Sequence, residues 1–438
     1  MTADAAESPE RGGLRLRDCY RFFAPLVLMV ELNMISKSAI HAFLARTEAP
    51  DVALAAFNAA FTFYFAITSA TETIVALSLS YLKARSDVLR LIGFTAALLS
   101  ISLAAALVIA FTSVGNHIYG EWFGLSPAGQ EQARWCTGLL ILSMPVLLLR
   151  GTAFALLMLE RQTLIITWST LIRLSSLGAS LFVLPLWLEG GAIGAGALVV
   201  CMASETVFAW WFAWKILKRM PAVREAQESL LAYWRFSWPL IINSSAEMGV
   251  IFAINLYLGR LQEAELAIAA FGVVHGLVSL LMAPMRNLAQ TAQTLVARRE
   301  DVRLILTFSG QLVGLFTLFA LVLYQTSLSD VVLISVMGLT PELVGYIEPA
   351  MKFSFAMAAF WACTAVFRGL LAKARTTTSL AASGLCRIGT AALAGSLSLV
   401  YPEMNGAVLG LGAWVLSYVS ETAISSWRLR RLGWYVET

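Results

Sequence analysis

The chain has 438 residues, 59% of them hydrophobic and only 13% charged, with a formal net charge of +4 and a mean hydropathy of +0.75. An ordinary soluble domain carries about 25% charged residues, so this composition excludes a water-soluble enzyme, a disordered chain and a disulfide scaffold. Apolar stretches of about 20 residues, each long enough to cross a hydrocarbon core of about 30 Å, recur from end to end and predict an all-α polytopic membrane protein.

Twelve spans are expected, near 22–45, 53–82, 88–112, 134–157, 163–187, 191–216, 236–258, 265–297, 303–325, 346–371, 377–399 and 406–428. The segment 1–21 is polar and basic. The first apolar stretch lacks a small-residue cleavage site and reads as a retained helix rather than a signal peptide. Lys and Arg gather on alternate connections, in 11–21, 83–90, 215–235, 298–303, 373–375 and 428–431, and at Arg150, Arg161 and Arg368. The opposite connections keep only Arg46, Arg134, Arg260 and Lys352. Basic loops stay inside, so both termini are expected in the cytosol, with the chain a multi-pass protein of the cell (inner or plasma) membrane.

An internal repeat runs through the chain at an offset of 214 residues. Phe22, Pro25 and Leu26 correspond to Phe236, Pro239 and Leu240, Arg46 to Arg260, Ala55-Ala56-Phe57 to Ala269-Ala270-Phe271, and Arg173 to Arg387. Gly124-Leu125-Ser126-Pro127 corresponds to Gly338-Leu339-Thr340-Pro341, a polar cap followed by proline at a helix start. After a two-residue slip, Ser204-Glu205-Thr206 corresponds to Ser420-Glu421-Thr422, and Trp211 to Trp427. Each repeat holds six spans and therefore enters the membrane in the same sense, the arrangement of parallel-repeat transporters. The expected organisation is a cytosolic segment 1–21, a first lobe 22–216, a basic linker 217–235, a second lobe 236–428 and a tail 429–438.

Ionisable groups inside the membrane are costly and ask for a partner or a task. Arg173 and Glu205, and their counterparts Arg387 and Glu421, lie at matching depths on neighbouring spans and read as structural ion pairs that lock helices together. The others fall on spans one, two, seven and eight. On span one, Asn33, Lys37 and His41 form one stripe, with Glu31 off it. On span two the polar stripe is Asn58, Thr62, Ser69 and Glu72; on span seven Asn243 and Glu247 are one turn apart. On span eight His275, Ser279, Arg286 and Gln290 follow helical spacing, Asn287 adjoins them, and Pro284 predicts a kink. Glu72 and Arg286 are repeat equivalents of opposite charge, a candidate gate pair across the seam. The plainer alternative is that each is satisfied within its own half. His41 and His275 could titrate near neutral pH, or serve only as buried hydrogen-bonding groups.

Twelve spans in two parallel repeats, with Pro25 and Pro239 early in spans one and seven, resemble the multidrug/oligosaccharidyl-lipid/polysaccharide (MOP) exporter superfamily. Within it the chain is most similar to the progressive ankylosis protein family. The residues concerned are 236–240, Asn255-Leu256-Tyr257-Leu258-Gly259-Arg260, Arg286, Arg387 and the glycine-rich 406–412 leading to Glu421. The multidrug and toxin extrusion (MATE) family is the next resemblance. The superfamily resemblance implies a two-lobed, V-shaped transporter whose central cavity is lined by spans one, two, seven and eight, and the likeness to the progressive ankylosis family implies a substrate class of small polyanions such as pyrophosphate, ATP or citrate.

The leading expectation is a secondary transporter exporting small organic or phosphate anions by alternating access. Asn33, Lys37, His41, His275, Arg286 and Asn287 would contact substrate, and Glu31, Glu72 and Glu247 would be cavity carboxylates. One negative charge moving out down 100 mV gains about 2.3 kcal/mol, so no coupling ion is required. A second reading is an H+- or Na+-coupled multidrug antiporter for organic cations, with those carboxylates exchanging the ion and Phe57, Phe61 and Tyr64 stacking on the drug. A third is a lipid-linked sugar flippase. No cofactor, metal site, nucleic-acid partner or enzymatic constellation is indicated: no Walker-A pattern occurs, and Cys19, Cys136, Cys201, Cys363 and Cys386 have no paired spacing. The chain is expected to be a monomer whose partners are its substrate and membrane lipid.

Overall fold

The computed structural model describes residues 14–44, 46–68, 71, 73–122, 125–223, 228–326, 328–336 and 341–433. Among them every regular element is helical. The first repeat comprises α1 (Leu16–Leu44), α2 (Pro50–Thr68), α3 (Thr73–Tyr81), α4 (Arg85–Phe111), α5 (Ser113–His117), α6 (Pro127–Ile141), α7 (Ser143–Leu159), α8 (Thr163–Val183) and α9 (Gly191–Arg219). The second comprises α10 (Leu230–Leu258), α11 (Ala264–Met282), α12 (Leu288–Leu295), α13 (Arg299–Gln325), α14 (Leu328–Asp330), α15 (Pro341–Phe353), α16 (Ala356–Lys373), α17 (Thr378–Gly395), α18 (Leu397–Val400) and α19 (Gly406–Arg431).

Ten helical stretches among the described residues are long and apolar enough to cross a membrane, which makes this a multi-pass membrane protein. They match expected spans three to twelve. Expected span one is the 29-residue helix α1, which also carries Asp18, Arg21 and Glu31. Several expected spans are divided between helices, among them two, eight and ten. Span two divides into α2 and α3, and span ten into α15 and α16 around Ser354 and Phe355. Span eight breaks at a 3-10 turn, Ala283–Asn287, where Pro284 removes one backbone donor and crowds the preceding turn. Pro25 and Pro239, by contrast, sit inside continuous helices. Helices α9 and α10 both extend into the expected linker and leave 220–229 between them, with Ser229 capping α10 through its hydroxyl, which accepts from Ala232 N at 3.1 Å.

Repeat equivalence extends to local chemistry. Asp87 Oδ2 accepts backbone N–H groups of Lys83 and Ala84 at 3.0 and 2.9 Å, and Asp301 Oδ2 those of Ala297 and Arg298 at 2.9 and 2.8 Å. Each carboxylate closes the orphaned donors that open a long helix, α4 or α13. Helix packing is duplicated too: α8 lies between α1 and α9 as α17 lies between α10 and α19. A Cβ on Gly194 of α9 would come within 3.2 Å of Phe57 of α2, and one on Gly410 of α19 would overlap Phe271 of α11. These glycines let the two helix pairs approach closely in both lobes.

The lobes meet at the end of the molecule that carries the linker. The largest apolar cluster crosses the seam there, joining Phe22, Phe23, Leu26 and Tyr81 to Tyr233, Phe236, Phe308 and Leu288. A second cluster, including Ile40, Phe57, Leu140 and Leu198, belongs to the first lobe alone. Polar contacts add to the closure. Tyr20 OH donates to Gln311 Oε1 at 2.9 Å, Asn287 Nδ2 to Leu26 O at 3.0 Å, and Gln293 Nε2 to Ala76 O at 2.8 Å and Ser80 Oγ at 2.9 Å.

Candidate functional site

A cavity of about 460 Å³ opens in the second lobe against the seam. Its wall takes Asn243 and Glu247 from α10, His275 from α11, Arg286 from the 3-10 turn, Gln290 and Gln293 from α12, Trp361 and Arg368 from α16, and Tyr418 from α19. The first lobe contributes Phe65, Thr73 and Ala76.

Four charges converge at and behind this wall, Glu247 and Arg368 in it and Arg387 and Glu421 beneath. Arg387 Nη2 donates to Glu247 Oε2 at 2.5 Å and Arg387 Nη1 lies 3.2 Å from Glu421 Oε2. Arg368 grips Glu421 with two bonds of 2.7 Å, and Asn243 Nδ2 donates to the same carboxylate at 3.0 Å. Glu247 also accepts from Tyr418 OH at 3.0 Å and Trp414 Nε1 at 3.3 Å, while the Arg387 guanidinium lies 4.1 Å over the Tyr418 ring. Arg387 and Glu421 are fully buried; the Glu247 side chain keeps 20% exposure. Buried charges survive in low dielectric only when paired and hydrogen-bonded, and every carboxylate oxygen of this set is engaged.

The first lobe repeats the plan with one acid fewer. Glu205, fully buried, lies 2.8 Å from Arg150 and 3.5 Å from Arg173, and accepts from Thr170 Oγ1 at 3.1 Å. The repeat position of Glu247 is Asn33. The structure therefore brings Arg173 to Glu205 and Arg387 to Glu421, but each glutamate also has a second arginine. Arg150 and Arg368, expected as loop charges at the ends of spans four and ten, both turn inward. They stand 218 residues apart, off the 214-residue register, and so are not repeat equivalents in the sequence.

The other sequence-selected residues separate. His275 lines the cavity, its ring 4.6 Å from Trp414 and 5.9 Å from Phe271. Arg286 presents an exposed side chain whose guanidinium lies 5.3 Å over Trp361; among the described residues no carboxylate pairs with it at ion-pair distance. Asn287 is not a cavity residue: it is buried and spans the seam to Leu26. Glu31 is half-buried on α1 and does not line the cavity. His41 packs edge-on against Phe57 at 5.8 Å in the first lobe. Asn33 and Lys37 lie on α1, with their side chains outside the described set, and Glu72 lies outside the described residues, so the gate pair has no geometry here.

No family model and no curated protein sequence matches the chain. Solved structures do. A MATE in complex with MaD3S superposes with a TM-score of 0.72 at 15% identity, covering 96% of each chain. An outward-facing multidrug resistance MATE family transporter of the MOP superfamily gives 0.72 at 12% identity, covering 96% of this chain and 97% of its own. The fold is that of the MATE transporters. A MOP superfamily transporter from Pyrococcus furiosus, described by a binding pocket of reverse polarity that suggests a different function, gives 0.70 at 12% identity over 96% of this chain and 97% of its own. These similarities show the fold that the superfamily and MATE resemblances imply; they lend nothing to the narrower resemblance with the progressive ankylosis family.

Proposed function

We propose that the chain is a MATE-type secondary transporter, moving organic molecules by alternating access between its lobes in exchange for H+ or Na+. The observation that carries this reading is Glu247. Among the described residues it is the carboxylate that lines the cavity, yet Arg387, Tyr418 and Trp414 also claim it. A cation arriving at Glu247 from the cavity competes with Arg387, which has Glu421 as its other partner at 3.2 Å. Ion occupancy and helix pairing are thereby alternatives, and a ligand shifts a conformational equilibrium only through such a difference in interaction between states. With the termini in the cytosol, the closed linker side is the cytosolic one and the cavity belongs to an outward-facing state. The aromatic wall of Trp361 and Tyr418 suits planar organic substrates.

One observation favours a second reading, export of organic or phosphate anions. Among the described residues, Arg286, Arg368 and Arg387 stand against Glu247 and Glu421 around the cavity, an excess of one positive charge, and Arg286 faces the cavity without a carboxylate at ion-pair distance. Transport by purified protein in liposomes separates the two. Uptake of a fluorescent cationic drug driven by a pH or Na+ gradient and lost in Glu247→Gln supports the antiporter. Flux of labelled ATP, citrate or pyrophosphate that follows an imposed potential and is lost in Arg286→Ala replaces it with the anion exporter.

A further inference from the structure

We propose that Arg375 is a one-sided latch that holds the linker side of the seam closed, and that the linker acts on the latch through Glu228. This rests on the alternating-access reading. Arg375 follows α16 with φ of 54°, a left-handed conformation that residues other than glycine seldom adopt. Its repeat counterpart, Arg161, follows α7 with φ of 57°. Both turns therefore set an arginine at the linker end of equivalent helices.

Only the second-lobe arginine reaches across the seam in the closed structure. Its Nη1 lies 2.7 Å from Glu228 Oε1 in the linker, and its Nη2 donates to Ser80 O of the first lobe at 2.9 Å. The guanidinium also covers the Tyr81 ring at 4.1 Å. Tyr81 in turn meets the second lobe edge-on, with Tyr233 at 5.0 Å and Phe236 at 5.4 Å. One side chain thus joins linker, first lobe and second lobe. Isolated surface pairs contribute little because each must order a long side chain; here a single ordering cost serves a carboxylate, a carbonyl and an aromatic face together. Arg161 is exposed, and the positions equivalent to Ser80 and Tyr81 are Thr294 and Leu295, so the two-fold-related corner has a leucine where Tyr81 stands. The linker likewise occurs once. Opening this side draws α16 and α17 away from α3 and must break the contacts to Ser80 and Tyr81, and whatever removes Glu228 from Arg375 frees the guanidinium that makes them.

The test is a distance measurement by double electron–electron resonance. Spin labels go on Leu89→Cys and Arg303→Cys, exposed repeat-equivalent positions of α4 and α13, in the full chain with Cys363 and Cys386 replaced by serine. The unmodified latch should give a predominantly short distance. Arg375→Ala should raise the long-distance population several-fold, Tyr81→Leu and Glu228→Gln should raise it less, and Arg161→Ala should leave it unchanged. An Arg375→Ala distribution matching the parent, or an equal shift from Arg161→Ala, would overturn the latch. If the parent converts between short and long distances under substrate or ion gradients while Arg375→Ala changes nothing, the latch alone fails. If no protein or gradient yields a second distance, alternating access fails with it.

Discussion

Glu247 of α10 and Arg387 of α17 form an ion pair of 2.5 Å in the second lobe, whereas the equivalent positions of the first lobe hold Asn33 and Arg173. The arginine–glutamate–arginine core is duplicated in both lobes, the pattern expected of a structural device. The extra acid of the second lobe faces the cavity and marks where the repeats diverged. Asymmetry between repeats, rather than conservation of a motif, locates the candidate site.

Breaking the buried network from its centre is expected to be severe. Arg387→Met leaves Glu247 and Glu421 short of a shared cation in a buried site, and removing one partner of a buried pair costs about 3–5 kcal/mol. Thermal unfolding in detergent should show a large fall in Tm. Glu247→Gln keeps a hydrogen-bonding side chain beside Tyr418 and Trp414 and should lower Tm much less. Equal losses in the two variants would contradict this assignment.

Gly369 of α16 has a packing role beside the cavity. A Cβ there would overlap the backbone carbonyl of Ala289 on α12, which cannot swing aside as a side-chain tip could. Gly369→Ala should destabilise by about 1–3 kcal/mol through overpacking. Gly314→Ala on α13 meets nothing within 4 Å, and relief of glycine's helix penalty should make it neutral or stabilising by up to about 1 kcal/mol. Thermal shifts of opposite sign are the expected result.

The paired caps offer a test of duplication. Asp87→Ala and Asp301→Ala each release two backbone donors at a helix start, and losing a cap costs about 1–2 kcal/mol. Hydrogen exchange should quicken in the first turn of α4 in one variant and of α13 in the other, with the opposite lobe unaffected.

Arg286 and Trp361 should act as a unit in substrate recognition. Trp361→Phe retains a ring beneath the guanidinium, whereas Trp361→Leu removes an attraction of about 1 kcal/mol. Substrate affinity, read by scintillation proximity or calorimetry in detergent, should weaken more in the leucine variant. If both variants bind as the parent does, Trp361 is only wall.

Much of this molecule was readable from residue order. Apolar runs, the 214-residue register and the placement of Pro127 and Pro284 follow from local rules: lipid cannot solvate a peptide group, and proline cannot donate. The same rules put His275, Arg286 and Glu247 on the correct spans, and the tertiary structure then placed all three on one cavity wall. Asn287 went to the seam instead, because a helical neighbour three residues past Pro284 changes face once the turn tightens to 3-10 geometry.

Hydropathy and repetition by themselves determined a two-lobed helical membrane protein with charges concentrated on a few spans. Only the tertiary structure decided that Arg150 and Arg368 turn inward to Glu205 and Glu421 rather than outward to water, and that Arg375 crosses the seam while Arg161 does not. The reason is physical. An arginine near a span end has a stem long enough to place its guanidinium in water or in the protein, and the choice depends on which carboxylate or ring another helix brings within reach.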